Sequence, residues 1–213
     1  MSFSKKVLLG SLLALCTTSV FAVDSADLRV IGTIAPAACT PTFAGGGTVD
    51  YGLISTSSLN AATATPLAKK TIDYNITCDA PISISTAFTD SRAGTAFIPG
   101  PASFGLGMQG AATIGRYTVA HVVGSATGDG NAVVILQQNN PTRPWAATVT
   151  GDVYHDGLRT YSYGSAASPD TPGTYTTVTG TLAVTATIAP TDTLNLSETI
   201  TLDGLSTMTV RYP

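Results

Sequence analysis

Charge is scarce in this chain. Asp, Glu, Lys and Arg make up 11% of its 213 residues, against roughly 25% in ordinary globular proteins. Glu198 is the only glutamate, and beyond Lys5 and Lys6 the only lysines are Lys69 and Lys70. Surface helices draw heavily on Glu, Lys, Ala and Leu, so the chain has little raw material for them. Acidic residues outnumber basic ones, 13 to 10, for a formal charge of -3. That balance gives no basic face for nucleic acid and no simple attraction to anionic lipid. Histidine is limited to His121 and His155, and tryptophan to Trp145.

The first residues have the layout of a secretory signal: Lys5 and Lys6, then the apolar run Val7 to Leu15, then Val20-Phe21-Ala22 with small residues where a signal peptidase cuts. The apolar run is shorter than the roughly 20 residues that span a bilayer. Residues 1–22 are therefore expected to be removed, leaving a mature chain from Val23 with no membrane insertion and a size suited to one all-β domain. Cys16 leaves with the signal. Cys39 and Cys78 remain, in an oxidising compartment and without a metal-site spacing or a basic, thiol-activating setting. They are expected to form a disulfide.

Thr, Val, Ile, Tyr, Gly and Ser, the residues of strands and turns, are plentiful. Apolar residues alternate with period two at Leu28, Val30 and Ile34; at Ile72, Tyr74 and Ile76; and at Ile82 and Ile84. The pattern continues at Tyr117, Val119 and His121, at Val133 and Ile135, at Leu182, Val184, Ala186 and Ile188, and at Met208, Val210 and Tyr212. Leu158, Thr160 and Ser162 form a weaker face opposite Arg159, Tyr161 and Tyr163. Such alternation marks strands with one buried face. Turn signals separate them, among them Gly45-Gly46-Gly47, Gly128-Asp129-Gly130-Asn131, Pro172-Gly173 and Asp203-Gly204. Many short strands with Gly/Pro turns indicate an all-β sandwich or barrel. Ser55–Ala68 reads as a loop, and the Gly/Pro-rich stretch Gly94–Gly115 gives no strand.

No constellation for catalysis emerges. There is no Gly-x-Ser-x-Gly elbow, and His121 reads as a semi-buried strand residue. His155 sits in Gly151-Asp152-Val153-Tyr154-His155-Asp156-Gly157, which lacks calcium-loop and zinc spacing and reads as a turn. Trp145 reads as a packing residue. The expectation is a protein that is not an enzyme and takes no metal or cofactor.

Leu28-Arg29-Val30-Ile31-Gly32-Thr33-Ile34, Ala37-Ala38-Cys39, Val49-Asp50-Tyr51-Gly52 and Ile72-x-Tyr74-x-Ile76-x-Cys78-Asp79 together resemble the amino-terminal half of type 1-like pilins, the subunits of chaperone–usher fimbriae, or a pilin-like group of exported bacterial proteins. The resemblance implies an immunoglobulin-like (pilin-type) β-sandwich that lacks its last strand. The open edge of such a sandwich is filled first by a periplasmic chaperone and then by the amino-terminal extension of a neighbouring subunit. On those terms Asp24 to Ile31 is the donor extension, with Leu28 and Val30 entering a neighbour's groove. Ser206 to Tyr212 borders the chain's own groove, with Met208, Val210 and Tyr212 on one face. Partners would be the chaperone, an outer-membrane usher and neighbouring subunits, and the location the periplasm and then the fimbria or cell surface. Two features differ from typical shaft pilins: the extension before Cys39 is shorter, and Gly204 lies nearer the carboxy terminus. A self-complete, monomeric binding sandwich is the other reading of the same strands, with Leu28–Ile34 as its own first strand; a secreted hydrolase is a third.

Overall fold

A computed structural model describes residues 28–32 and 38–212. The chain divides into units at Ala35/Pro36. The signal segment, Asp24 and Ile34 lie outside the described residues.

The body is all-β. Its main strands are β1 (Cys39–Phe43), β2 (Lys70–Ile82), β3 (Ser85–Asp90), β4 (Gly115–His121), β5 (Val134–Gln138), β6 (Thr160–Gly164), β7 (Tyr175–Ile188) and β8 (Ser206–Arg211). One sheet runs β1-β2-β7-β4 and ends on the short strand Phe104–Gly105. The other starts from Ala146–Ala147 and runs β5-β6-β3-β8. Every pairing between these strands is antiparallel. The two sheets form a sandwich whose core takes Tyr74 and Ile76 from β2, Val178, Leu182 and Ala186 from β7, and Tyr161 and Tyr163 from β6.

The alternation in the sequence maps onto this architecture. Along β4 the odd positions Gly115, Tyr117, Val119 and His121 are buried, and the even ones are half-buried. Long β7 is the spine of its sheet, flanked by β2 and β4. The Asp129-Gly130 turn has positive φ at both residues, 49° and 80°, as a two-residue hairpin turn demands. It joins Thr127–Gly128 to Asn131–Ala132. The Asp129 carboxylate then accepts from the amides of Thr176 and Thr177, beside the register shift between Tyr175 and Thr177 in β7.

Cys39 and Cys78 are bonded, as expected. They sit directly opposite one another in the β1–β2 register. The bridge therefore fastens the outermost strand of its sheet to the next one in.

Several expectations need correction. The alternative with Leu28–Ile34 as the sandwich's own first strand is not met over the described residues: 28–32 belong to no sheet, and Leu28, Val30 and Ile31 are 91%, 87% and 78% exposed. β6 has no exposed face: all of Thr160–Gly164 is buried, because Ser162 and Thr160 are covered as well as the tyrosines. Leu158 lies before the strand and is exposed. His121 is 1% exposed rather than semi-buried. The 94–115 stretch carries two-residue ladders, Phe104–Gly105 on β4 and Met108–Gln109 with Ala112–Thr113, too short for a periodic signal.

Candidate functional site

The sandwich is open along one side. Among the described residues β8 pairs with β3 and with no strand beyond it, so it is the edge of its sheet. At its carboxy-terminal end it is tied to the other sheet: Tyr212 Oη accepts from the Cys39 amide at 2.7 Å. Toward its amino-terminal end, Leu205 and Ser206 instead border a cleft of about 1240 Å³ that Phe43 borders on the β1 side. One bank is the loop Val49–Ile54, and the other is the irregular segment Ser197–Leu205.

The floor of the cleft is hydrophobic core. Ile72, Val184 and Val119 reach it from the first sheet and Phe88 from the second. Tyr74, Ile76 and Cys78 of β2 and Val178, Leu182, Ala186 and Ile188 of β7 are buried, yet Ile72 and Val184, on the same inward faces, are only half-buried. Leu182, the register partner of Ile72, is 3% exposed. The sandwich thus leaves a local stretch of its own interior uncovered. Leu53, Leu196 and Leu205 add exposed apolar side chains to the rim, at 101%, 40% and 49%.

The motif Val49-Asp50-Tyr51-Gly52 builds one bank. β2 starts at Lys70, opposite Val184, and Thr65–Pro66 pairs with β7 only from Thr187 on. Tyr51 bridges this gap: its hydroxyl donates to Val184 O and accepts from Ala186 N, both at 3.1 Å. Burial raises the Tyr51 phenol above its ordinary range, partly opposed by the Ala186 bond, so the group stays a neutral donor. The Asp50 carboxylate accepts from Gly52 N, and Lys70 Nζ donates to Asp50 O while lying 5.4 Å over the Tyr51 ring. Y51F leaves a strand carbonyl and amide unmet, and is expected to lower stability by about 1–2 kcal/mol, measured as a fall in the urea midpoint.

The opposite bank is held by Arg92, whose Nε and Nη2 donate to both Asp203 carboxylate oxygens at 2.8 Å. The guanidinium hydrogen bonds hold that carboxyl below its ordinary range. Asp203 N also donates to Leu106 O. Gly204 lets the Tyr117 ring lie against the backbone, where a Cβ would meet a ring carbon at 2.8 Å. Burial pushes Tyr117 up to about 12.

The residues singled out in the sequence fall as follows. Met208 is buried and Val210 half-buried in the core, on the inward face of β8. Neither lines the cleft, where β8 contributes Ser206. Tyr212 is 47% exposed and holds Cys39. His155 Nε2 is 2.9 Å from Ser103 O, and its ring lies 4.8 Å from that of Phe104. Among the described residues no group of three His, Cys, Asp or Glu side chains could hold a metal ion, and no helix is long and apolar enough to cross a membrane. Sequence reading missed Ile72, Val184 and Phe88 as cleft residues, because apolar alternation does not distinguish a covered core position from an uncovered one.

Residues 28–130 match a protein-family model described as protein of unknown function (DUF1120). The match reaches from the exposed Leu28 segment through both cysteines, Tyr51 and β4 to the Asp129-Gly130 turn. No curated protein matches the chain.

Proposed function

We propose that this protein is a pilin-like structural subunit whose sandwich is completed by a β-strand from a partner. Its own amino-terminal segment serves as the strand it donates in turn. The observation that carries this reading is the unpaired edge of β8 beside a cleft floored by half-buried Ile72 and Val184. An edge strand offers a row of free backbone donors and acceptors. An inserted strand would use them while placing alternate side chains on the apolar floor. The exposed, sheet-free Leu28 and Val30 have the alternation such a strand needs. The cleft volume exceeds the roughly 300–1,000 Å³ of small-molecule pockets, and its open strand edge favours a peptide over a compact ligand.

In this reading the chain performs no turnover. A periplasmic chaperone would occupy the cleft before assembly, an outer-membrane usher would receive the complex, and a neighbouring subunit would replace the chaperone.

V184D tests the cleft directly. Val184 is half-buried in the free protein, so a carboxylate there keeps some water. An inserted strand would strip that water, at a cost of about 3 kcal/mol. A peptide spanning residues 24–34 is expected to bind the wild-type protein and to bind V184D about 100-fold more weakly, by fluorescence anisotropy. Equal affinity for both proteins would remove the cleft as the strand site.

A further inference from the structure

His121 lies at the meeting point of the two sheets, and the assembly scheme above makes no use of it. It ends β4 and is 1% exposed. Aromatic rings surround it: Tyr74 from β2 with centroids 5.8 Å away, Phe88 from β3 at 6.0 Å, and Tyr161 from β6 at 5.1 Å. Leu182 of β7 is its partner in register. Its Nδ1 is 3.5 Å from Tyr74 Oη, at the limit of a hydrogen bond, and its Nε2 has no hydrogen-bond partner among the described residues. Its backbone amide donates to Gly151 O.

The titratable groups packed around the ring are Tyr74 and Tyr161, both raised chiefly by burial and so neutral. β3 brings Phe88 and β7 brings Leu182, neither ionisable. Asp152 lies in the segment bridged to Ala120, and burial lowers the imidazole. None of Tyr74, Phe88, Tyr161 and Leu182, packed around the ring, carries a negative charge that would compensate an imidazolium.

The same residues form the cleft. Phe88 packs edge-on against His121 and also lines the floor, as do Leu182 and Val119, the latter two positions before His121 in β4. We propose that His121 is a proton-operated latch: its neutral ring keeps the sheets packed beneath the cleft, and protonation loosens the sandwich and weakens the cleft's hold on an inserted strand. The loosening stands on the core geometry alone, while the effect on an inserted strand rests on the proposed function.

Burial lowers the His121 imidazole to about 4 from its ordinary 6.5. Above about pH 6.5 the ring is neutral in both the folded and unfolded chain, and stability does not depend on it. As pH falls below that value the unfolded chain takes up a proton that the folded one refuses, so stability declines until about pH 4. At about pH 5 the folding equilibrium constant is expected to be about thirty-fold lower than at about pH 7.5. Carboxylates with ordinary acidity titrate mostly below this window.

The test is urea denaturation of the wild type and H121F at about pH 7.5 and about pH 5. The wild type should lose about thirty-fold in the folding constant, and H121F no more than about three-fold. H121Q serves if the larger ring does not fold, and NMR titration of the wild-type imidazole provides a variant-free check. Equal acid losses in wild type and variant, or a folded-state ring titrating near 6.5, would overturn the latch. Binding of the residue 24–34 peptide at about pH 7.5 and about pH 3.5, below the value of the folded-state ring, reports the coupling to the cleft. Binding that weakens in acid for wild type and not for H121F supports it, and binding independent of pH overturns it. A peptide that binds at neither pH, alongside acid loss abolished in H121F, would sink the strand-insertion reading and leave the latch standing.

Discussion

A protein lacking both cysteines, C39A/C78A, is expected to be about 4 kcal/mol less stable than the oxidised wild type. The cysteines lie 39 residues apart, and closing a loop of that size restricts the unfolded chain by about that amount in the entropy model. The folded state adds a second consequence. Among the described residues β1 is an edge strand that pairs only with β2, and Phe43 at its far end borders the cleft. Cys39 also carries the bond to Tyr212 that ties β8 to the opposite sheet. Losing the bridge therefore loosens a place where the two open edges are joined. With an urea slope of about 2 kcal/mol per molar, the midpoint should fall by about 2 M. A shift under about 0.5 M would mean that β1 is held by its ladder alone.

Gly151→Ala should be comparably severe. Gly151 has φ of 73°, a conformation costing other residues about 1–2 kcal/mol. A Cβ there would also collide with the carbonyl oxygen of His121. That atom is backbone and cannot rotate away, so β4 or the 148–153 segment must move, at a further cost of about 1–3 kcal/mol. The hydrogen bond from His121 N to Gly151 O, and that from Val153 N to Val119 O, would be strained together. The thermal midpoint is expected to drop by about 10 °C or more. A drop of only a degree or two would show that this segment can shift without disturbing the core.

The two cases differ in how far the sequence exposed them. The disulfide followed from the cysteine count and the export layout, and the all-β architecture from the scarcity of charge and the alternation along β2, β4 and β7. Gly151 gave no such signal, because only the folded chain brings it against His121. The same holds for β6. Tyr161 and Tyr163 read as one side of an amphipathic strand, but the opposite side is covered by neighbours distant in sequence, and Ser162 Oγ is spent on Ile84 O.

The cleft was the least legible part. Ile72 and Val184 look like any other core residues in a strand pattern. Among the described residues no strand lies beyond β8, and that openness is a property of sheet topology rather than of local sequence. The Val49–Gly52 motif was visible, but not that the Tyr51 hydroxyl would stand in for a missing stretch of β2.

The central claim is that the outer edge of β8 is free and accepts a strand. Hydrogen–deuterium exchange across Ser206–Arg211 tests it most directly, with and without the peptide spanning residues 24–34. The amides of β8 that point away from β3 are expected to exchange rapidly in the protein alone and to become protected when the peptide is bound. Protection already present in the isolated protein, or unchanged exchange at saturating peptide, would contradict a sandwich completed by a donated strand.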